Sequence, residues 1–178
     1  VWLGANTSLN KGAMMQYSRK ILFSLIAGLL ICSASFANGV LTQEAVQKMN
    51  DEFAVMNNKQ NVDGVIKFIS PTAEILFKMI APGTPMHGET IKITPEQYAD
   101  SMRTAWGMTD QYSYTIANEQ ISVSADGQSA TITADVTEEM TINGQSQKAS
   151  THEVITVELV EGQLLMTKIN YETTMPNQ

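Results

Sequence analysis

The chain of 178 residues carries 11 lysines and arginines against 18 aspartates and glutamates, a formal net charge of −7. A surface of that sign repels phosphate backbones, which sets nucleic-acid binding aside, and no basic amphipathic stretch points to a membrane surface. One cysteine, Cys32, rules out a disulfide framework within the chain.

The first recognisable element is a targeting segment. Arg19-Lys20 precede an apolar run from Ile21 to Ile31, and Ser35-Phe36-Ala37 follow as a small-x-small end. A basic stretch, a short apolar core and such an end describe a secretory signal cleaved after Ala37. The apolar run falls well short of the roughly twenty residues that a membrane-spanning helix needs. Ile31 stands where a lipoprotein signal wants a small residue, so Cys32 is expected to leave with the signal. Residues 1–13, ahead of Met14-Met15, are expected to be an extension upstream of the true start. Residues 1–37 are thus read as extension plus signal, and 38–178 as one domain, periplasmic or secreted, with no stable membrane anchor after cleavage. Lys11, Arg19 and Lys20 go with the signal, which leaves the domain more acidic still. Without a thiol it must be held by its core, and its length suffices for one.

Val46, Met49, Phe53 and Met56 recur at helical spacing behind Thr42, a capping residue, and predict an amphipathic helix over 41–57. A short second helix carries Val62, Val65, Ile66 and Ile69 on one side and is expected to stop at Pro71. Glu74 to Ile80 reads as a strand, residues 81–85 as a loop, and Glu89 to Ile93 as a shorter returning strand. Thr94-Pro95-Glu96-Gln97 supplies an N-cap, a proline at the first helical position and a capping-box glutamine. The helix that follows buries Tyr98, Met102, Ala105 and Trp106 and ends near Gly107. From there to the C-terminus the sequence is rich in β-formers and punctuated by Asp126-Gly127, Asn143-Gly144 and Glu161-Gly162. Two-residue turns at these dipeptides predict a four-stranded meander. Helices packed on one face of a strongly bent antiparallel sheet give an α+β fold.

Several segments carry a resemblance: the opening amphipathic helix, the short helix ending at Ser70-Pro71, and two strand–turn patterns. The patterns are Ile121-x-Val123-x-x-Asp126-Gly127-x-x-Ala130-x-Ile132 and Glu161-Gly162-x-Leu164-x-Met166. Together they resemble the nuclear transport factor 2-like superfamily in its SnoaL-like or ketosteroid-isomerase-like branch, over essentially the whole of 38–178. Members usually place tryptophan and isoleucine where Leu164 and Met166 stand. The resemblance implies a cone-shaped half-barrel with about three helices on its concave face, an open end that often holds a small-molecule pocket, and dimerisation through the sheet. It implies no particular activity, because this fold hosts isomerases, dehydratases, hydrolases and non-catalytic binders. Arg103 falls on the polar side of its helix beside Asp100, which speaks against the Asp-Arg-Asp arrangement of the epoxide-hydrolysing relatives.

Turn positions fix register, and successive strand residues point to opposite faces. One face is then expected to align Val123, Ala130, Val157 and Met166, next Ile121, Ile132, Ile155 and Lys168, and next Glu119, Ala134, Glu153 and Asn170. The other aligns Ser122, Thr131, Thr156 and Thr167, then Gln120, Thr133, Val154 and Ile169, then Asn118, Asp135, His152 and Tyr171. The first face is apolar and should be concave; the second is threonine-rich and should meet water or form a homodimer. Glu119 and Glu153 are thereby predicted on the concave face about 10 Å apart, with Lys168 and Asn170 beside Glu153. Carboxylates in a desolvated cavity acquire the raised pKa of a general acid or base. If the strands flare there, both glutamates are instead rim residues with Lys168 as a weak ion-pair partner. A bulge in any strand would dissolve the pair.

Tyr98, Trp106, Glu119, Glu153, Lys168 and Asn170 are therefore the candidate ligand-binding residues, with Glu153 and Glu119 the catalytic candidates. Asp135 and His152 form a carboxylate-oriented histidine, expected to be a structural pair. His87 is expected at a loop tip. The histidines share no ligand spacing, so neither a metal nor another cofactor is expected. Three functions stay open: an exported module binding a small apolar ligand, a dimeric interaction protein with a closed cone, and an isomerase or dehydratase using a pocket glutamate.

Overall fold

The computed structural model describes residues 40–80 and 88–174. The expected signal segment with Cys32, the extension before it, and His87 lie outside the described residues. Helix α1 (Gln43–Asn58) begins at Thr42, whose side chain accepts from the Ala45 amide. It buries Val46, Met49 and Phe53, and each fully buried side chain of this size contributes roughly 1.5–3 kcal/mol. Helix α2 (Val62–Ile66) is a single turn capped by Asn61. Strand β1 (Ile69–Ile80) starts earlier than the sequence suggests. Ile69 is a strand residue, and Pro71 sits in an irregular stretch of β1 rather than ending a helix. A proline fits there because no ladder hydrogen bond is asked of it.

Strand β2 (Thr90–Ile93) pairs antiparallel with β1 and leads into helix α3 (Pro95–Gly107). Both halves of the expected capping box form: the Gln97 backbone amide donates to the Thr94 hydroxyl, and the Thr94 backbone amide to the Gln97 side-chain oxygen Oε1. Met102 is buried, while Tyr98, Ala105 and Trp106 are only half-buried and Ala99 takes a core place instead.

Strands β3 (Gln111–Val123), β4 (Ser129–Ile142), β5 (Gln145–Val160) and β6 (Gln163–Thr174) form the meander. The sheet is curved, unclosed and six-stranded, in the order β2-β1-β6-β5-β4-β3. It is mixed rather than wholly antiparallel, because β1 lies parallel to β6. α1 packs on β3 and α3 on β1, with α2 between the two helices, so the described helices cover one face.

Asn143 and Gly144 both take positive φ, 51° and 75°, as a two-residue turn of the type suited to hairpins requires. Asp126-Gly127 does not make such a turn. Ser124 pairs with Ser129 around a four-residue connection, and Asp126 accepts from the Ser124 hydroxyl and the Gln128 amide. Its centre is still between Asp126 and Gly127, so the register next to it is the predicted one.

Two bulges change what lies beyond the turns. In β6, Val157 pairs with Met166 but Thr156 pairs with Lys168, so Thr167 is the extra residue. In β3, Ala117 faces Asp135 and Gln120 faces Thr133, so Asn118 and Glu119 together oppose Ala134. Asn118 takes the left-handed conformation there, with φ of 52°. Each bulge inverts the faces of every residue past it.

Candidate active or ligand-binding site

Ala134 and Tyr171 flank Glu153 on the adjoining strands, and Phe77 of β1 pairs with Tyr171. Glu153 is only 5% exposed, the sole buried carboxylate among the described residues. The Tyr114 hydroxyl donates to both of its oxygens, at 3.3 and 3.2 Å. Tyr171 and Tyr98 join hydroxyl to hydroxyl at 3.1 Å, which ties α3 to the sheet beside Glu153. Phe77 stacks on Tyr171 with centroids 4.7 Å apart, and Tyr98 leans on both. At the rim, Tyr112 donates to the half-buried Glu138, and Trp106 meets Tyr112 edge to face at 5.6 Å.

Burial pushes the Glu153 carboxyl up to about 8; the Tyr114 hydrogen bond pulls it down in part, and the nearby Glu138 charge pushes it up. Burial likewise raises Tyr114, Tyr171 and Tyr98; neighbouring charges add to it, the Tyr171 hydrogen bond pulls Tyr98 down in part, and all three stay phenols. Among the described residues, no ion pair joins Glu153 to a lysine or arginine. Lys78 pairs with Glu172, Lys92 and Lys168 with Glu74, Arg103 with Asp63 and Asp100, and Lys148 with Glu139, all away from Glu153. A neutral carboxyl enclosed by phenols and aromatic rings can donate or accept one hydrogen bond, or transfer one proton near neutral pH.

Comparison with family models and with curated proteins returns no match. Solved structures do match. A conserved protein from Planctomyces limnophilus aligns with a TM-score of 0.61 at 9% identity, over 75% of this chain and 97% of its own. The hexachlorocyclohexane dehydrochlorinase LinA-type3 of Novosphingobium barchaimii gives 0.55 at 16% identity, over 74% and 85%. An NTF2-like protein of unknown function from Pseudomonas putida gives 0.55 at 10% identity, over 73% and 84%. The fold is nuclear transport factor 2-like.

Within this nuclear transport factor 2-like fold, the bulges redistribute the residues singled out from sequence. Glu153 is on the concave face, as expected. Lys168 and Asn170 are not: past Thr167 they point to the outer face, where Lys168 meets Glu74 at 3.2 Å and Asn170 reaches the Val154 carbonyl at 3.5 Å. Tyr171 moves the opposite way and takes the place beside Glu153 that Asn170 was given. Glu119 faces α1 from the β3 bulge, where it accepts from Gln47 at 2.7 Å and Asn50 at 2.5 Å. It fastens the helix rather than joining Glu153; the carboxylate that does influence Glu153 is Glu138. Tyr98 meets Tyr171 beside Glu153, and Trp106 meets Tyr112.

On the outer face His152 Nδ1 and Asp135 Oδ1 lie 2.8 Å apart, as the register implied. Asn118 donates to the other Asp135 oxygen, and this bond, then His152, holds the carboxyl below its usual range. Glu172, not Tyr171, stands next to His152. Two open depressions mark the surface: one of about 460 Å³ on the far end of β3, β4 and β5, bordered by Tyr112 and Lys148, and one of about 490 Å³ between α1 and β3. Glu153 lines neither.

Tyr114, Tyr112, Glu138 and Phe77 were not singled out from sequence. Their signal was present. Glu138 shares the parity of Ile132, Ala134 and Val136, and Tyr112 and Tyr114 share that of Ile116.

Proposed function

We propose that this chain is an exported small-molecule-binding protein, its ligand held against Glu153 by the aromatic side chains of α3, β1, β3 and β6. The observation that carries the reading is one carboxyl, nine-tenths buried and ringed by Tyr98, Tyr114 and Tyr171, with no ion pair to a cation among the described residues. A polar group so placed costs free energy wherever it serves packing alone, since an apolar residue would fill the space without loss of hydration. Binding sites combine this kind of apolar wall with a few convergent polar groups. Export rests on the pattern of Arg19-Lys20, the apolar run and Ala37. N-terminal sequencing of the protein recovered outside the cytoplasm tests it, with Asn38 as the expected first residue.

A ligand screen by thermal shift tests binding. Compounds that raise the melting temperature of the wild type should lose that effect in Glu153→Gln and lose part of it in Tyr114→Phe. Compounds that stabilise all three proteins equally bind somewhere else, and the reading fails.

The carboxyl's pKa near 8 favours a second reading, turnover by proton transfer. A fold neighbour is a dehydrochlorinase, which gives that reading a precedent in the architecture only. Under it, loss of Glu153→Gln activity would exceed any loss of affinity, and the rate would rise with pH toward about 8 as the base ionises.

A further inference from the structure

We propose that Asn58, the last residue of α1, is a positioning residue for Glu153: it clamps the backbone of Tyr114 at the outer edge of β3 and so aims the Tyr114 hydroxyl at the carboxyl. The proposal rests on the reading of Glu153 as the functional group of the site. It adds a residue that acts on Glu153 without touching it.

The first argument is topology. β3 ends the order of the sheet, with β4 on one side and no described strand on the other. In an antiparallel ladder the N–H and C=O of one residue point to the same side. Those of Tyr114 point away from β4, and Asn58 meets both. Its side-chain oxygen accepts from the Tyr114 N–H at 2.9 Å, and its nitrogen donates to the Tyr114 C=O at 2.8 Å. A further strand would make the same two bonds.

The second argument is the kind of residue. Asn58 is exposed, and its bond to the Ala54 carbonyl at 3.2 Å is all that the end of the helix asks of it. Two more bonds to a single residue of β3 serve the strand, not the helix.

The third is the sensitivity of what is held. The Tyr114 hydroxyl reaches the Glu153 oxygens at 3.3 and 3.2 Å, longer than the roughly 2.7–2.8 Å usual between oxygens. A displacement of about 0.3 Å takes so long a bond out of range. The other titratable groups that face the carboxyl are Tyr98 of α3, Tyr171 of β6 and Glu138 of β4. The hydrogen bonds of Asn58 run to Tyr114 and Ala54, so a change at Asn58 reaches Glu153 through Tyr114.

The test is the titration midpoint of the Glu153 carboxyl, read by carbon-detected NMR in the wild type and in variants. The wild type should titrate near pH 8. Asn58→Ala should raise the midpoint by about half a unit or more, because loss of the phenol bond disfavours the charged form. In a Tyr114→Phe background the same change should add nothing, since the group it positions is gone. Asn58→Gln, which keeps the amide one methylene farther out, should fall between wild type and Asn58→Ala. Glu119→Ala cuts the other tie between α1 and β3 and should not raise the midpoint. An unmoved midpoint in Asn58→Ala, a rise that persists without the Tyr114 hydroxyl, or an equal rise in Glu119→Ala overturns the proposal and leaves the reading of Glu153 standing. A wild-type midpoint near 4.5 overturns both.

Discussion

Tyr114 on β3 hands its hydroxyl hydrogen across the sheet to Glu153 on β5, reaching both carboxyl oxygens at 3.3 and 3.2 Å. Tyr114 is itself fixed from behind: the Asn58 side chain of α1 donates to its carbonyl and accepts from its amide. Phe53 sets its ring edge to face. The helix therefore positions the phenol that positions the carboxyl.

Tyr114→Phe should raise the Glu153 titration midpoint further, because the lost bond favours the charged form. The same change should destabilise the protein more at pH 9 than at pH 5, by about 1–2 kcal/mol, since a bond to a carboxylate is stronger than one to a neutral carboxyl. Denaturation at the two pH values checks the difference. Equal losses would mean that Glu153 keeps one protonation state throughout.

Stability of the wild type should fall as pH rises between about 4.5 and about 8 and then level off. The sign follows from the direction of the shift. Folded Glu153 holds its proton more tightly than the unfolded chain does, so its contribution is complete below about 4.5 and lost through about 8. The shift corresponds to about 5 kcal/mol over the whole range. Asp135 and Glu74, both held below their usual range, act in the opposite sense and lose their contribution as pH falls. Urea unfolding across pH should show the decline, and Glu153→Gln should flatten it.

Glu119→Ala should cost about 1–3 kcal/mol, because Asn50 is buried and loses its acceptor. It should leave ligand affinity unchanged. A marked loss of affinity at constant fold would place Glu119 in the site after all.

Gly144→Ala and Gly127→Ala both place a side chain at positive φ, 75° and 65°. The first should cost about 1–2 kcal/mol from backbone strain alone, since the added carbon meets nothing within 4 Å. The second should cost at least about 1 kcal/mol more, because its carbon would lie 2.2 Å from Val40 and beside the Leu41 amide, which bonds to the Gly127 carbonyl. Melting temperatures of the two variants give the order directly.

The meander was legible because Asn143-Gly144, Glu161-Gly162 and the Asp126-Gly127 connection are centred where their dipeptides stand, so nearby registers follow from counting. Strands β4 and β5 keep one parity throughout: Ala130, Ile132, Ala134 and Val136 face inward, as do Thr151, Glu153, Ile155 and Val157. The site lay beyond the bulges, where counting fails. Yet both bulges left a trace in the sequence. Inward residues of β3 change from even positions at Tyr112, Tyr114 and Ile116 to odd ones at Ile121 and Val123. In β6 the change runs from Met166 to Ile169 and Tyr171. A switch of hydrophobic parity within one strand is what an extra residue produces, and it would have moved Lys168 and Asn170 outward and Tyr171 inward. The parallel pairing of β1 with β6 left no comparable trace, because both strands are buried on the same face whichever way they run.

The central claim is that Glu153 is a buried carboxyl that keeps its proton at neutral pH. Carbon-detected NMR of its side-chain carboxyl, titrated across pH, measures this directly. The carboxyl should titrate near pH 8. A midpoint near 4.5 would contradict the proposed site, which is built on a buried carboxyl that stays neutral.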